Sequence, residues 1–287
     1  MKWILSMVLL LALQASAQQA DAYKLYTSTG KRSGYNKMVS AAVKADIVLF
    51  GELHDDPIAH WMQFLLTQEL FKADSANLII GAEMFERQQQ NALDNYLQGA
   101  WNLKTLKDST KLWNNFGTDY LPVVNFAKDH KLPYIATNVA RPIASRIFKR
   151  GLASLDSLTA EERQWVCPLP FPMDTTLSQY SELIKMGKEM HASGIDFAYA
   201  QAVKDATMAY SIMQHWKPGK HFIHFNGAYH SDFHQSIEWY LKQANPDLKI
   251  VTISTVTQDD VWKLETDYKG KADFIIVVPS TMTRTME

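Results

Sequence analysis

Six short apolar runs constrain this chain more than any other feature: DIVLFG at residues 46–51, LIIGAEM at 78–84, LPYIAT at 132–137, KHFIHF at 220–225, Lys249 to Val256, and Ala272 to Val278. Each is rich in β-branched or aromatic residues and reads as a buried strand. Helical patterns lie between them: Ile58 to Phe71 opened by Pro57, Arg87 to Leu97, Arg141 to Arg150, and Asp232 to Gln243. Buried strands alternating with helices predict an α/β fold with a mostly parallel sheet flanked by helices. Residues 151–216 carry no strand signal and read as a helical insertion subdomain with a proline-rich stretch, VCPLPFP, at 166–172. The sheet core then falls at about 40–150 and 217–287, inside one domain of residues 18–287.

The first residues, MKWILSMVLLLALQASAQQA, have a positive start at Lys2, an apolar stretch from Trp3 to Leu13, and a small-residue site at Ala15-Ser16-Ala17. That is the layout of a signal peptide over residues 1–17, and the apolar run is too short to span a bilayer. The expectation is an exported protein, periplasmic or secreted, with no lipoprotein cysteine near the cleavage site. Cys167 is the only cysteine, so no internal disulfide forms, and cysteine-based zinc sites and iron–sulfur clusters are excluded. With a formal charge of −1, and no long basic run, nucleic acid is not an expected partner.

Polar residues gather where the strands end. Glu52 and His54 follow the first run, Glu83 closes the second, Asn138 and Arg141 follow the third, and Asn226 and His230 follow the fourth. In an open parallel sheet all strand carboxyl ends lie along one edge, where ligands bind. Two copies of one phrase, Gly51-x-x-His54 and Gly227-x-x-His230, are therefore expected to be close in space. The expected role of each glycine is a sharp turn at the strand end. Singly, these residues have structural uses, such as a helix cap for Glu52 or a surface ion pair for Arg141. As a set they define a site. His54, Glu83 and His230 are candidate ligands for a divalent metal such as Mn, Co or Zn. Equally, Glu52, His54, Glu83, Arg141 and His230 are candidate catalytic groups, with a base that activates water and an arginine that stabilises negative charge. His230 and His234, four apart near a helix start, are expected on one helix face. His221 and His224 fall on opposite faces of their strand.

The ordered motifs GELHDDP (51–57), GAEMFER (81–87), ATNVARPIASR (136–146), KDATMA (204–209) and HFNGAYHSDFH (224–234) resemble the ChaN-like haem-binding uptake proteins of the Tiki superfamily. The resemblance runs from about Asp46 to the C-terminus. It implies an α/β core with a helical subdomain and haem binding linked to iron uptake at the cell envelope. It also implies a homodimer enclosing two stacked haems, each iron held by a tyrosine, and an outer-membrane haem receptor as a partner. The wider superfamily includes metal-dependent proteases built on two GxxH motifs and a glutamate. Here those are Gly51/His54, Gly227/His230 and Glu83, so a metal-dependent hydrolase is the alternative function.

Haem needs an apolar slot, an axial ligand and cations for its propionates. In YSELIKMGKEMH at 180–191, helical spacing puts Tyr180, Ile184, Gly187 and His191 on one face, flanked by Lys185 and Lys188. Tyr180 is the expected iron ligand and Tyr199 the second candidate, with His191 as a further contact. Gly187 is expected to admit the flat ring. The pair Cys167-Pro168 matches a haem-regulatory dipeptide but is more readily a buried structural cysteine.

Overall fold

A computed structural model describes residues 21–190 and 193–286, so the expected signal peptide and His191 lie outside the described residues. A hairpin, β1 (Lys24–Thr27) and β2 (Arg32–Ser33), comes first, followed by α1 (Tyr35–Ala42) and β3 (Ile47–Glu52). Next are α2 (Pro57–Ala73), β4 (Leu78–Glu86), α3 (Gln90–Leu97), α4 (Leu103–Ser109), α5 (Leu121–His130) and β5 (Tyr134–Asn138). Then come α6 (Arg141–Arg150), α7 (Ser178–Glu189), α8 (Gly194–His215), β6 (His221–Gly227), α9 (Ile237–Ala244), β7 (Ile250–Gln258) and β8 (Phe274–Pro279).

The strands form one sheet in the order β2-β1-β8-β7-β3-β6-β4-β5. From β8 to β5 every neighbouring pair is parallel; only β1, against β2 and β8, is antiparallel. The six predicted strands are all present. The β1–β2 hairpin was not expected, because KLYT and RS are too short to carry a period-two signal of their own.

Alternation along β3 explains its unbroken apolar sequence. Val48 and Phe50 join a core with Met62 and Leu66 of α2 and Val124 of α5, whereas Ile47 and Leu49 join a second core with Ile147 of α6 and Val203 of α8. Both faces are covered by helices, so both sets of side chains are apolar. Phe50 is fully buried, and its truncation to alanine is worth about 3–5 kcal/mol of stability. The described residues of 151–216 contain no strand; α8 lies on the second face with Ala198, Ala202, Ala206 and Ala209 turned inward.

Three local expectations change. Asp232 to Gln243 is not one helix: Phe233, His234 and Ser236 have φ of 60°, 58° and 52°, so the chain reverses and α9 begins only at Ile237. His234 consequently leaves His230 and bonds Glu238 at 2.9 Å instead. Arg87 to Leu97 splits into a 3-10 turn, Arg87–Gln89, and α3, with the Glu86 backbone N–H donating to Gln89 Oε1 at 2.8 Å. Gly187 receives a neighbouring helix rather than a ring, since a Cβ there would stand 2.6 Å from the Gly194 Cα.

Candidate functional site

The carboxyl ends of β3, β4, β5 and β6 open into a cleft of about 1080 Å³. Glu52, His54, Glu83, Asn138, Arg141 and His230 all line it, so the topology gathers the residues that the sequence places at successive strand ends. Asn226 and His224 do not line it. They form a buried strut below, with His224 bonding Thr137 Oγ1 at 2.8 Å and Asn226 Oδ1 at 3.0 Å. Burial holds the His224 pKa down at about 4, so its ring is neutral.

Helix α2 fixes the first loop. Asp56 Oδ1 accepts from the Ile58 and Ala59 backbone N–H groups at 3.0 and 2.9 Å, with Pro57 already set for a first turn. Glu52, 1% exposed, accepts from Tyr120 Oη at 2.7 Å and Gln63 Nε2 at 2.5 Å. It also accepts from His54 Nδ1 at 3.0 Å. The carboxylate can only accept, so His54 carries a proton on Nδ1, and its Nε2 lies on the side of Gly227. The ring lies edge-on to Trp113, centroids 4.7 Å apart. Burial lowers the His54 pKa, but the hydrogen bond to Glu52 and the nearby Glu83 carboxylate outweigh it, and the net shift is upward.

A second arrangement stands opposite. The β4–β5 pairing is irregular between Ala82 and Glu86, and Glu83 lies in that interruption. Its Oε2 accepts from the Gly227 backbone N–H at 2.8 Å, and its Oε1 from His230 Nε2 at 3.1 Å. The other ring nitrogen of His230 donates to Asp205 Oδ1, and Asp205 Oδ2 accepts from Tyr180 Oη at 2.8 Å. With both nitrogens donating to carboxylates, His230 is an imidazolium. Burial opposes that charge, but Glu83 and Asp205 prevail and raise its pKa to about 10. The same attraction holds Glu83 well below the usual carboxylate range despite its burial. Burial pushes Asp205 upward.

The two glycines of the repeated phrases serve close approach, not turning. A Cβ on Gly51 would stand 2.8 Å from the Ala228 Cα, and one on Gly227 would stand 2.8 Å from both Cε1 and Nε2 of His54. Each phrase makes room for the other.

The walls above these groups are apolar, from Leu112, Trp113, Val139, Leu183, Met186 and Phe197. Lys111, Arg141 and Lys204 also line the cleft, and none forms an ion pair among the described residues. Lys111 and Trp113 were not anticipated, because they lie in an irregular segment before α5 with no periodicity to read. Lys204 and Asp205 fall in the KDATMA motif but carry no signal of where α8 points them.

The proposed haem contacts on α7 and α8 do not reach the cleft. Tyr180 is 0% exposed and its hydroxyl is engaged by Asp205, so it faces the second core as a strut for His230. Tyr199 packs against Phe171, ring centroids 6.3 Å apart. Lys185 and Lys188 are exposed on the outer side of α7, and Lys185 lies 4.0 Å from Glu189. Cys167 is buried, with its thiol pKa pushed up to about 11. Among the described residues no group of three or more His, Cys, Asp or Glu is placed to hold a metal ion, so a divalent metal at His54, Glu83 and His230 is without support. Glu83 and a doubly protonated His230 already satisfy one another.

A cleft at the carboxyl rim of an open α/β sheet, apolar above and charged below, defines a small-molecule-binding protein of the parallel-sheet type. The chain belongs to the family described as haem-binding uptake, Tiki superfamily, ChaN, which it matches over residues 38–241. Its structure is similar to one described as cofacial haem binding to ChaN of Campylobacter jejuni. The TM-score is 0.67 and the identity 18%, covering 89% of this chain and 96% of that one. It is also similar to a protein of Bacillus cereus, with TM-score 0.51 and 12% identity, covering 90% of this chain and 95% of that one. At such identities the likeness speaks for the fold. No curated protein sequence matches the chain.

Proposed function

We propose that this protein binds haem in the rim cleft and serves iron uptake at the cell envelope. Membership of a haem-binding uptake family supports the reading. The observation that carries it is the pairing of apolar walls with three cations, Lys111, Arg141 and Lys204, that lack carboxylate partners among the described residues. A flat apolar ring with two carboxylates matches that lining. When bound, haem would supply its iron as cargo. The chain's part is to shield the ring and hold the propionates.

Export through the N-terminal segment, a homodimer and an outer-membrane receptor belong to the same reading. The homodimer draws support from exposed apolar side chains at the end of α7, where Met186, which lines the cleft, is 48% exposed and Met190 is 66% exposed. Titration of purified protein with hemin, followed by absorbance, tests the central claim. A saturable shift of the haem band is expected, and its absence removes the reading.

A second reading, hydrolysis by water activation, draws on the His54–Glu52 pair, whose geometry suits a general base. Turnover of an ester panel that disappears in His54→Ala is its test. A panel with no turnover eliminates it.

A further inference from the structure

We propose that residues 283–286 form a displaceable strap that competes with the ligand of the cleft: Met286 covers part of the cleft wall, and an apolar anion that enters lifts it away. The inference holds for any apolar anion and does not depend on that anion being haem. Beyond β8 the chain turns back, with the Met282 backbone N–H donating to the Pro279 carbonyl at 2.9 Å, and Thr281 and Thr283 are exposed. Arg284 and Thr285 then anchor the segment on the rim, and Met286, half-buried, joins the cleft lining.

The anchors are polar and half-exposed. Arg284 Nη1 donates to Asp56 Oδ2 at 3.1 Å and to Asp55 Oδ1 at 3.4 Å, and its Nη2 donates to Thr257 Oγ1 at 2.9 Å. The Thr285 backbone N–H donates to the Asp55 carbonyl at 2.9 Å, and its hydroxyl to Asp119 Oδ2 at 2.5 Å. The Arg284 and Asp55 side chains keep 28% and 37% exposure, so water competes for their attraction. A segment held by such bonds opens at the low end of a fold's stability range. Its departure also strands no buried carboxylate. Asp56 still caps α2 through Oδ1, Asp119 still accepts from Asn115 Nδ2 at 2.6 Å, and Asp55 meets water. An apolar anion replaces what the strap gives up: its body covers the wall in place of the Met286 thioether, and its acidic group meets Lys111, Arg141 and Lys204, which no described residue of the strap neutralises. The strap also reports on the loop after β3, since Asn115 Nδ2 donates to the His54 carbonyl at 2.6 Å as well as to Asp119.

The test compares wild type, a chain ending at Met282, the double variant Arg284→Ala/Thr285→Val, and Met286→Ser, each shown to be folded by urea unfolding. The probes are anilinonaphthalene sulfonate, an apolar anion, and hemin. Sulfonate in the cleft is read by the loss of Trp113 emission, taken as the difference from Trp113→Phe. A strap docked about nine-tenths of the time lowers apparent affinity about tenfold. The shortened chain and the double variant should therefore bind the sulfonate about tenfold more tightly than wild type, and Met286→Ser by a smaller factor because its anchors remain. In wild type the sulfonate should speed amide exchange across residues 284–286. Equal or weaker binding by the folded shortened chain overturns the strap as a competitor, and so does slower exchange across 284–286 when the probe is added. Hemin separates the two readings. A gain for the sulfonate without any hemin binding leaves the strap standing and removes haem, whereas hemin binding with no gain on shortening removes the strap and leaves haem.

Discussion

The Gly227 Cα rests against the imidazole of His54, so that a single added methyl would stand 2.8 Å from two of the ring's atoms. This contact joins the two repeated phrases and sets how near β3 and β6 deliver their groups. Gly227→Ala is expected to push His54 off Glu52 and cost about 1–3 kcal/mol. Thermal melts check the cost, and hemin titration of the same variant should show weakened binding.

His230 is the cation between two buried acids. His230→Ala leaves Glu83 and Asp205 without it and is expected to destabilise the fold by about 3–5 kcal/mol, measured by urea unfolding. A cost below about 1 kcal/mol would show that the pair carries no such charge.

The same network sets the pH dependence of stability. The His230 pKa is raised from 6.5 to about 10, so its contribution is complete below pH 6.5 and is lost as pH rises toward 10. The Glu83 pKa is lowered from 4.5, so its contribution is complete above pH 4.5 and falls as pH drops further. Asp205, raised from 3.8 by burial, acts in the opposite sense on the acid side. The remaining facing groups include His54, Lys204, His224 and the Tyr180 hydroxyl. Stability should decline between pH 6.5 and 10 in wild type, and His230→Gln should flatten that decline.

Tyr180→Phe removes the hydroxyl that donates to Asp205 and should cost about 1–3 kcal/mol, since a buried carboxylate loses a partner. The hemin spectrum should stay as in wild type. A changed spectrum would return Tyr180 to the role that helical spacing suggests.

The C-terminal segment straps the rim. Arg284 donates to Asp56 Oδ2 at 3.1 Å and Thr257 Oγ1 at 2.9 Å, the Thr285 backbone N–H donates to the Asp55 carbonyl at 2.9 Å, and Met286 joins the cleft wall. Arg284→Ala should raise amide exchange across residues 283–286 and cost about 1 kcal/mol. Hydrogen exchange by mass spectrometry checks it.

The α/β class and the site's position were legible in the sequence because both depend on local pattern. Strands buried on both faces read as apolar runs, and polar residues directly after them must fall on the rim of a parallel sheet. Glu52, His54, Glu83, Asn138, Arg141 and His230 were found that way. Which face of a helix turns inward among similar faces was not legible, and Tyr180 shows it: spacing gave its neighbours on α7, but only the packing of α7 on α8 decided that Tyr180 and Gly187 face the core. Nor could the chain order of Lys204, Asp205 and His230 say that a lysine and a carboxylate from α8 would meet a histidine beyond β6. Charge partners separated in sequence are chosen by tertiary approach, because a buried ion is stable only beside its counter-ion, and that proximity exists only once the sheet and helices have packed.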